Sequence, residues 1–234
     1  MHNIAFFIAS IFSLNTHLHG FYSIRRQNYP ENFLHLAYKI GMMTYFWTYL
    51  LLGFQHILNW QAVDHLLFIL AITCIFTWSD IKHVLWLVTA FTIGHSVTLA
   101  LATLGWVSIN PTWIEFLIPC TILISAIRNL NFKDSVRQNS SKLPYITVSF
   151  FGLIHGLGFS NYLQSLLGKE SSIFTPLLAF NLGLECGQLI VVAIILFITT
   201  ALMSFTRFKR IHMVYVISGI IIGLVLPMFV ERIP

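Results

Sequence analysis

An all-α, polytopic membrane bundle of about seven transmembrane helices is the fold this sequence predicts, and three observations predict it. Only 9% of the 234 residues are charged, while 57% are hydrophobic; a soluble domain is about a quarter charged. The mean hydropathy is +0.80. Apolar runs recur at the length a helix needs to cross a bilayer, about 20 residues. None shows the period-two alternation of a barrel strand. Lipid tolerates only helices or closed barrels, because every backbone polar group must be satisfied within the protein.

The elements follow in order from hydropathy and its breaks. Residues 1–39 read as an N-terminal extension, cytoplasmic or interfacial. The apolar run at 4–14 is too short to span and lacks a preceding positive charge, so it does not read as a secretory signal. Met42 and Met43 stand just before the first span, which leaves an over-extended start as an alternative. Residues 40–230 form a single transmembrane domain with spans near 40–58, 64–80, 84–105, 111–128, 145–167, 175–204 and 211–230. Asn59, Trp60 and Gln61 separate the first two, Asp80 the next, and Asn110 the following pair. The loop at 129–144 and the short breaks at 168–172 and 207–210 complete the series. Pro111 and Pro176 lie where a first helical turn tolerates proline. Cys74, Cys120 and Cys186 fall in apolar runs without paired spacing, so no disulfide framework is expected and all three read as packing.

Seven crossings would place Arg25, Arg26, Lys39, Lys82, Arg128, Lys133, Arg137, Lys142, Arg207, Lys209 and Arg210 on one side. Only Lys169 and Arg232 would lie on the other. Basic loops stay cytoplasmic, so the expected protein is integral to the plasma (inner) membrane, with its N-terminus cytoplasmic and its C-terminus outside. The net charge of +5 therefore follows topology, and no nucleic-acid partner is implied. The expected partners are a metal ion and the lipid bilayer; a homo-oligomer is left open.

Against this apolar background His56, Asp64, His65, His95, His155 and Glu185 sit within or at the lip of the spans. An ionisable group at bilayer depth costs at least about 2.5 kcal/mol, so such groups face the bundle interior and mark a site. All of them fall in the outer half or at the midplane of their spans, as a polar funnel entered from outside. Imidazole and carboxylate together form a ligand set for first-row divalent metals. Ser96, Asn181 and Gln188 are placed to support the ligands or add to them. Gly152 and Gly156 flank His155, and Gly183 and Gly187 flank Glu185. Small residues let helices approach, so the fifth and sixth helices are expected to close on each other there. Structural readings exist for single residues: Asp64 as a helix N-cap, a lone histidine as interhelical glue. They do not account for the set.

Four stretches carry a family resemblance: Gly53–Leu58 with Asp64–Phe68, Phe91–Leu99, Phe151–Phe159 and Phe180–Leu189. In these the chain resembles the HupE/UreJ family of membrane proteins, which are regarded as nickel permeases. Seven residues separate His56 from Asp64, against five in the type members, and Ala62 replaces a usual glycine; both mark a divergent branch. The resemblance implies a divalent transition-metal permease of nickel/cobalt type. His56, Asp64 and His65 would capture the ion, and His95, His155 and Glu185 would hold it deeper. The bound or carried ion would be nickel, cobalt or zinc. The alternative is a metal-dependent, zinc-type intramembrane hydrolase acting on a lipid or lipid-anchored substrate, with Glu185, Asp64 and Ser96 as its catalytic groups. No glycine-rich nucleotide loop is present, so uphill transport would need a proton or potential drive.

Overall fold

The computed structural model describes residues 31–59, 63–132, 142–167, 173–205 and 209–234. The extension expected at residues 1–30, the apolar run at 4–14 included, lies outside them. Among the described residues there are seven α-helices and no strand: α1 (Glu31–Leu58), α2 (Val63–Thr73), α3 (Ile81–Thr103), α4 (Pro111–Asn129), α5 (Leu143–Leu167), α6 (Phe174–Phe205) and α7 (Arg210–Glu231). Helices α3 to α7 are each long and apolar enough to cross a membrane, and each matches its expected span within a few residues. Helix α1 starts at Glu31 and runs unbroken past residue 40. Asn110 caps α4 by accepting from the Thr112 amide at 3.0 Å, with Pro111 in the first turn.

Helix α2 departs from expectation. It has 11 residues, or about 16 Å at 1.5 Å per residue, and cannot cross alone. The rest of the span expected at 64–80 is a turn and a 3-10 helix at Trp78–Asp80. Ending a helix in an apolar interior strands its last carbonyl groups. Here Leu70 O and Thr73 O accept from the amides of Cys74 and Phe76 just beyond the helix, and other helices hold the rest of this segment. Asn129 Nδ2 donates to Ala71 O at 2.7 Å, and Arg210 donates to Ile75 O. Arg210 also pairs with Asp80 at 3.4 Å and lies over the Phe132 ring.

Glycines set how the helices pair, and not as expected. A Cβ on Gly152 or Gly156 would strike the α3 backbone at Phe91 and His95, and one on Gly94 would strike α5 at Ser149. A Cβ on Gly183 would strike α1 at Leu50, and one on Gly53 would strike α6 at Phe180. The glycines therefore bind α5 to α3 and α6 to α1, rather than α5 to α6. Spacing shows that a helix can be approached closely; it does not name the neighbour.

These contacts also give directions. Moving from Gly183 to Gly187 on α6 moves the contact from Leu50 to Ile57 on α1, and from Gly152 to Gly156 on α5 it moves from Phe91 to Thr98 on α3. Both pairs are parallel. Helix α6 runs opposite to α3, since Phe180 meets His95 while Glu185 meets Thr89. Helix α2 also runs opposite to α3, with His65 beside His95 and Phe68 against Phe91. Thus α1 and α2 run in one direction, as two pieces of a single broken helix with residues 59–62 between them. Seven helices form, but α1 and α2 share one crossing. Phe116 of α4 meets Phe229 of α7, so α7 ends where α4 begins. The start of α1 and the end of α7 then share a face.

Gly183→Val should force α1 and α6 apart and cost about 1–3 kcal/mol, typical of overpacking. Thermal unfolding in detergent should show a clearly lowered midpoint. Gly219→Ala, where an added Cβ meets nothing within 4 Å, should leave the midpoint unchanged or raise it.

Candidate metal centre

The break in the first crossing is where the ionisable groups meet. His56 lies in the last turn of α1, and Asp64 and His65 lie in the first turn of α2. His95 comes from the middle of α3, about 21 Å from its start by helical rise. One ring nitrogen from each of His56, His65 and His95 lies within 4.8 Å of the other two. His56 and His65 meet edge to face at 4.6 Å between ring centroids. Three imidazoles on three helices thus converge at one point inside an apolar bundle. His95 has no exposed surface and His65 only 6%.

Hydrogen bonding assigns the free lone pairs. Asp64 Oδ1 accepts from His65 N at 2.9 Å and stands 3.0 Å from His65 Nδ1. The carboxylate therefore holds the proton on Nδ1 and turns the bare Nε2 outward, the arrangement that orients and strengthens metal-binding histidines. His155 is held from another helix, its Nε2 standing 3.0 Å from Thr121 Oγ1. His56 Nε2, His65 Nε2, both His95 nitrogens and His155 Nδ1 are buried without hydrogen-bond partners. An unpaired buried polar atom costs about 1–3 kcal/mol, and here several lie together. Nitrogen donors of this kind suit nickel, cobalt or zinc.

The remaining expected residues divide. His155 stands beside the triad, 5.3 Å from His65 between ring centroids and 1% exposed. Asn181 Oδ1 is also unpartnered, and its side chain is set against His95. Asp64 reaches the centre through His65. Glu185 stands apart from the triad: its Oε1 accepts from Thr89 at 2.7 Å. Gln188 Oε1 accepts from Thr92 at 2.9 Å. Ser96 returns its hydroxyl to Thr92 O at 2.6 Å. Glu185 and Gln188 follow Asn181 along α6, so they form a polar seam with α3 leading away from the histidines toward the face where α2 ends. Thr89 and Thr121 were not singled out from the sequence, although Thr89 shares a stripe with Thr92 and Ser96. Cys186 is exposed, contrary to the expectation that it packs inside.

Aromatic rings bound the centre on both sides. Phe159 stacks on Phe180 at 4.7 Å and touches His56 at 4.2 Å. On the other side Phe68 lies 4.9 Å from Phe91 and 5.2 Å from His155, and Phe151 lies 6.1 Å from Phe68.

Fold and site together define an integral membrane protein with a buried histidine cluster at a broken helix. A family model described as HupE / UreJ protein matches residues 34–232, and the chain belongs to that family. No curated protein and no solved structure matched it.

With zinc or nickel added to purified protein, calorimetry should show one tight equivalent. Asp64→Asn keeps the shape but loses the charge that holds His65, and should weaken binding about 10- to 100-fold, the usual effect of losing such a partner. His95→Ala should abolish the tight equivalent. Equal binding in all three proteins would exclude the triad as the centre.

Proposed function

We propose that the protein is a divalent transition-metal permease of nickel/cobalt type in the plasma (inner) membrane. The observation that carries this reading is the convergence of three histidine nitrogens, bare and buried, where the first membrane crossing breaks. Discontinuous helices are a recurrent device of transporters, because the freed helix ends and adjoining side chains can hold an ion at bilayer depth. The final carbonyl groups of α1 present the negative end of a helix dipole to the cation. Asp64 offsets the positive end of α2.

His56, His65 and His95 take the ion from the outer side, with His155 and Asn181 within reach as it moves inward. Glu185, with Thr89, Thr92 and Gln188, supplies the next oxygen groups along the α3–α6 seam. Glu185 then serves as the carboxylate that receives the ion or exchanges it for a proton. Phe68, Phe91 and Phe151 close the inner side in this conformation, so release requires them to part. A potential of 100 mV, negative inside, favours entry of a divalent cation by about 4.6 kcal/mol. Imidazole donors leave nickel, cobalt and zinc as candidate cargo.

Orientation follows the loops. Lys82, Arg128, Lys142, Lys209 and Arg210 lie at the helix ends and connections of one face, which we assign to the cytoplasm by the distribution of basic residues. With α1 and α2 as one crossing, the start of α1 and the C-terminus both lie outside.

A zinc-type hydrolase would need a carboxylate base beside the metal and a hydroxyl or amide donor facing it. Asp64 is engaged by His65, Glu185 by Thr89, and Ser96 by its own helix. That geometry favours carriage over hydrolysis.

Sealed liposomes holding the protein should admit nickel or cobalt down a gradient, faster with a negative interior. Glu185→Gln should bind metal as tightly as wild type yet carry it at least tenfold more slowly. Metal that binds but never crosses in the wild type would defeat the permease reading. Reporter fusions at Lys39 and Pro234 should both read as outside; a cytoplasmic reading at Lys39 would break the single-crossing assignment of α1 and α2.

A further inference from the structure

On the face where α2 ends, helices α2 to α5 enclose a cavity of about 470 Å³. It is separate from the metal centre, with the Phe68, Phe91 and Phe151 layer between them. Three basic side chains line it, His83 of α3, Arg128 of α4 and Lys142, the residue before α5. Among the described residues no carboxylate lines it, and the ion pairs are His65–Asp64 and Arg210–Asp80. Arg128 and Lys142 thus have no carboxylate partner among the described residues, and both are exposed. Tyr145 and Thr147 add polar groups, while Ile72, Phe76 and Phe151 make the deeper wall apolar.

A metal cation would be repelled from such a chamber, and a neutral apolar molecule would have no use for the Arg128 and Lys142 charges. An anion with an apolar tail meets both halves. We propose that this cavity is a phosphate-anion site and that the phosphate is the headgroup of an anionic phospholipid, its acyl chain lying on the apolar wall. Arg128 supplies a planar fork that matches phosphate oxygens in pairs, and Lys142 supplies a point charge. The face is the one assigned above to the cytoplasm, where anionic headgroups meet basic pockets between helices. The chemistry of the site stands whether or not the metal is carried.

Full-length protein, purified and stripped of lipid, can be titrated with phosphatidylglycerol, phosphatidylcholine or inorganic phosphate. Native mass spectrometry counts adducts, and thermal unfolding reports stabilisation. Wild type should retain phosphatidylglycerol in preference to phosphatidylcholine. Arg128→Gln and Lys142→Gln should each weaken that binding about fivefold, the equivalent of ~1 kcal/mol per basic residue near a lipid surface. Arg128→Lys should restore much of it, which separates a charge effect from a folding defect. Equal retention of the two lipids, or a double Gln variant that binds as wild type does, would overturn the proposal. Charge-dependent binding of inorganic phosphate without preference for phosphatidylglycerol would keep the anion site but overturn the lipid as its source.

Discussion

A helix that stops inside a bilayer leaves carbonyl groups that neither water nor lipid can satisfy, and the rest of this structure is arranged around that one constraint. The first crossing is broken between Leu58 and Val63, and the ionisable residues gather at that break. At the other end of α2, on the face where α3 begins, Asn129 of α4 and Arg210 of α7 take up the backbone. Asp64 sits in the first turn of α2, where its charge meets the positive end of the dipole and its oxygen engages His65. Glycine contacts press α6 on α1 and α5 on α3, which fixes His56 and His95 at one level. The centre exists because two helix ends and two glycine-welded pairs meet there.

The same arrangement explains why so apolar a chain keeps its few polar groups. Buried hydroxyl and amide groups at Thr89, Thr92, Thr121 and Gln188 are spent on fixing another side chain rather than on general adhesion. The centre itself is left short of partners, which is costly unless a ligand supplies them. Aromatic rings lie above and below it, so on the proposed function an arriving cation would meet the ring nitrogens in an apolar setting.

Much of this was legible in the sequence. Composition and run length gave the helical membrane class, and five of the seven helices lie where hydropathy places them, because a polar loop outside the bilayer leaves an unmistakable gap. The conjunction of His56, Asp64, His65, His95 and His155 within apolar runs marked them out, since burial of a titratable group demands a reason. The broken crossing was hidden. Asn59, Trp60 and Gln61 look like any turn between two spans, and an apolar stretch at 64–80 has the same hydropathy whether it is helix throughout or only to Thr73. Direction was hidden as well: glycines four apart at 152 and 156, or at 183 and 187, permit close approach but do not choose a partner or its polarity. Glu185 was grouped with the histidines because depth along its own helix was the only guide; its azimuth, which turns it to Thr89, depends on how α6 lies against α3.

The central claim is that His56 and His65, from the two sides of the break, join His95 in holding one metal ion. X-ray absorption on zinc-loaded protein in detergent tests it most directly, with zinc as a spectroscopic probe. The account predicts a first shell containing three imidazole nitrogens at about 2.0–2.1 Å, with one imidazole lost in His56→Ala, in His65→Ala and in His95→Ala alike. A shell of oxygen donors only, or a spectrum that survives all three substitutions, would contradict it.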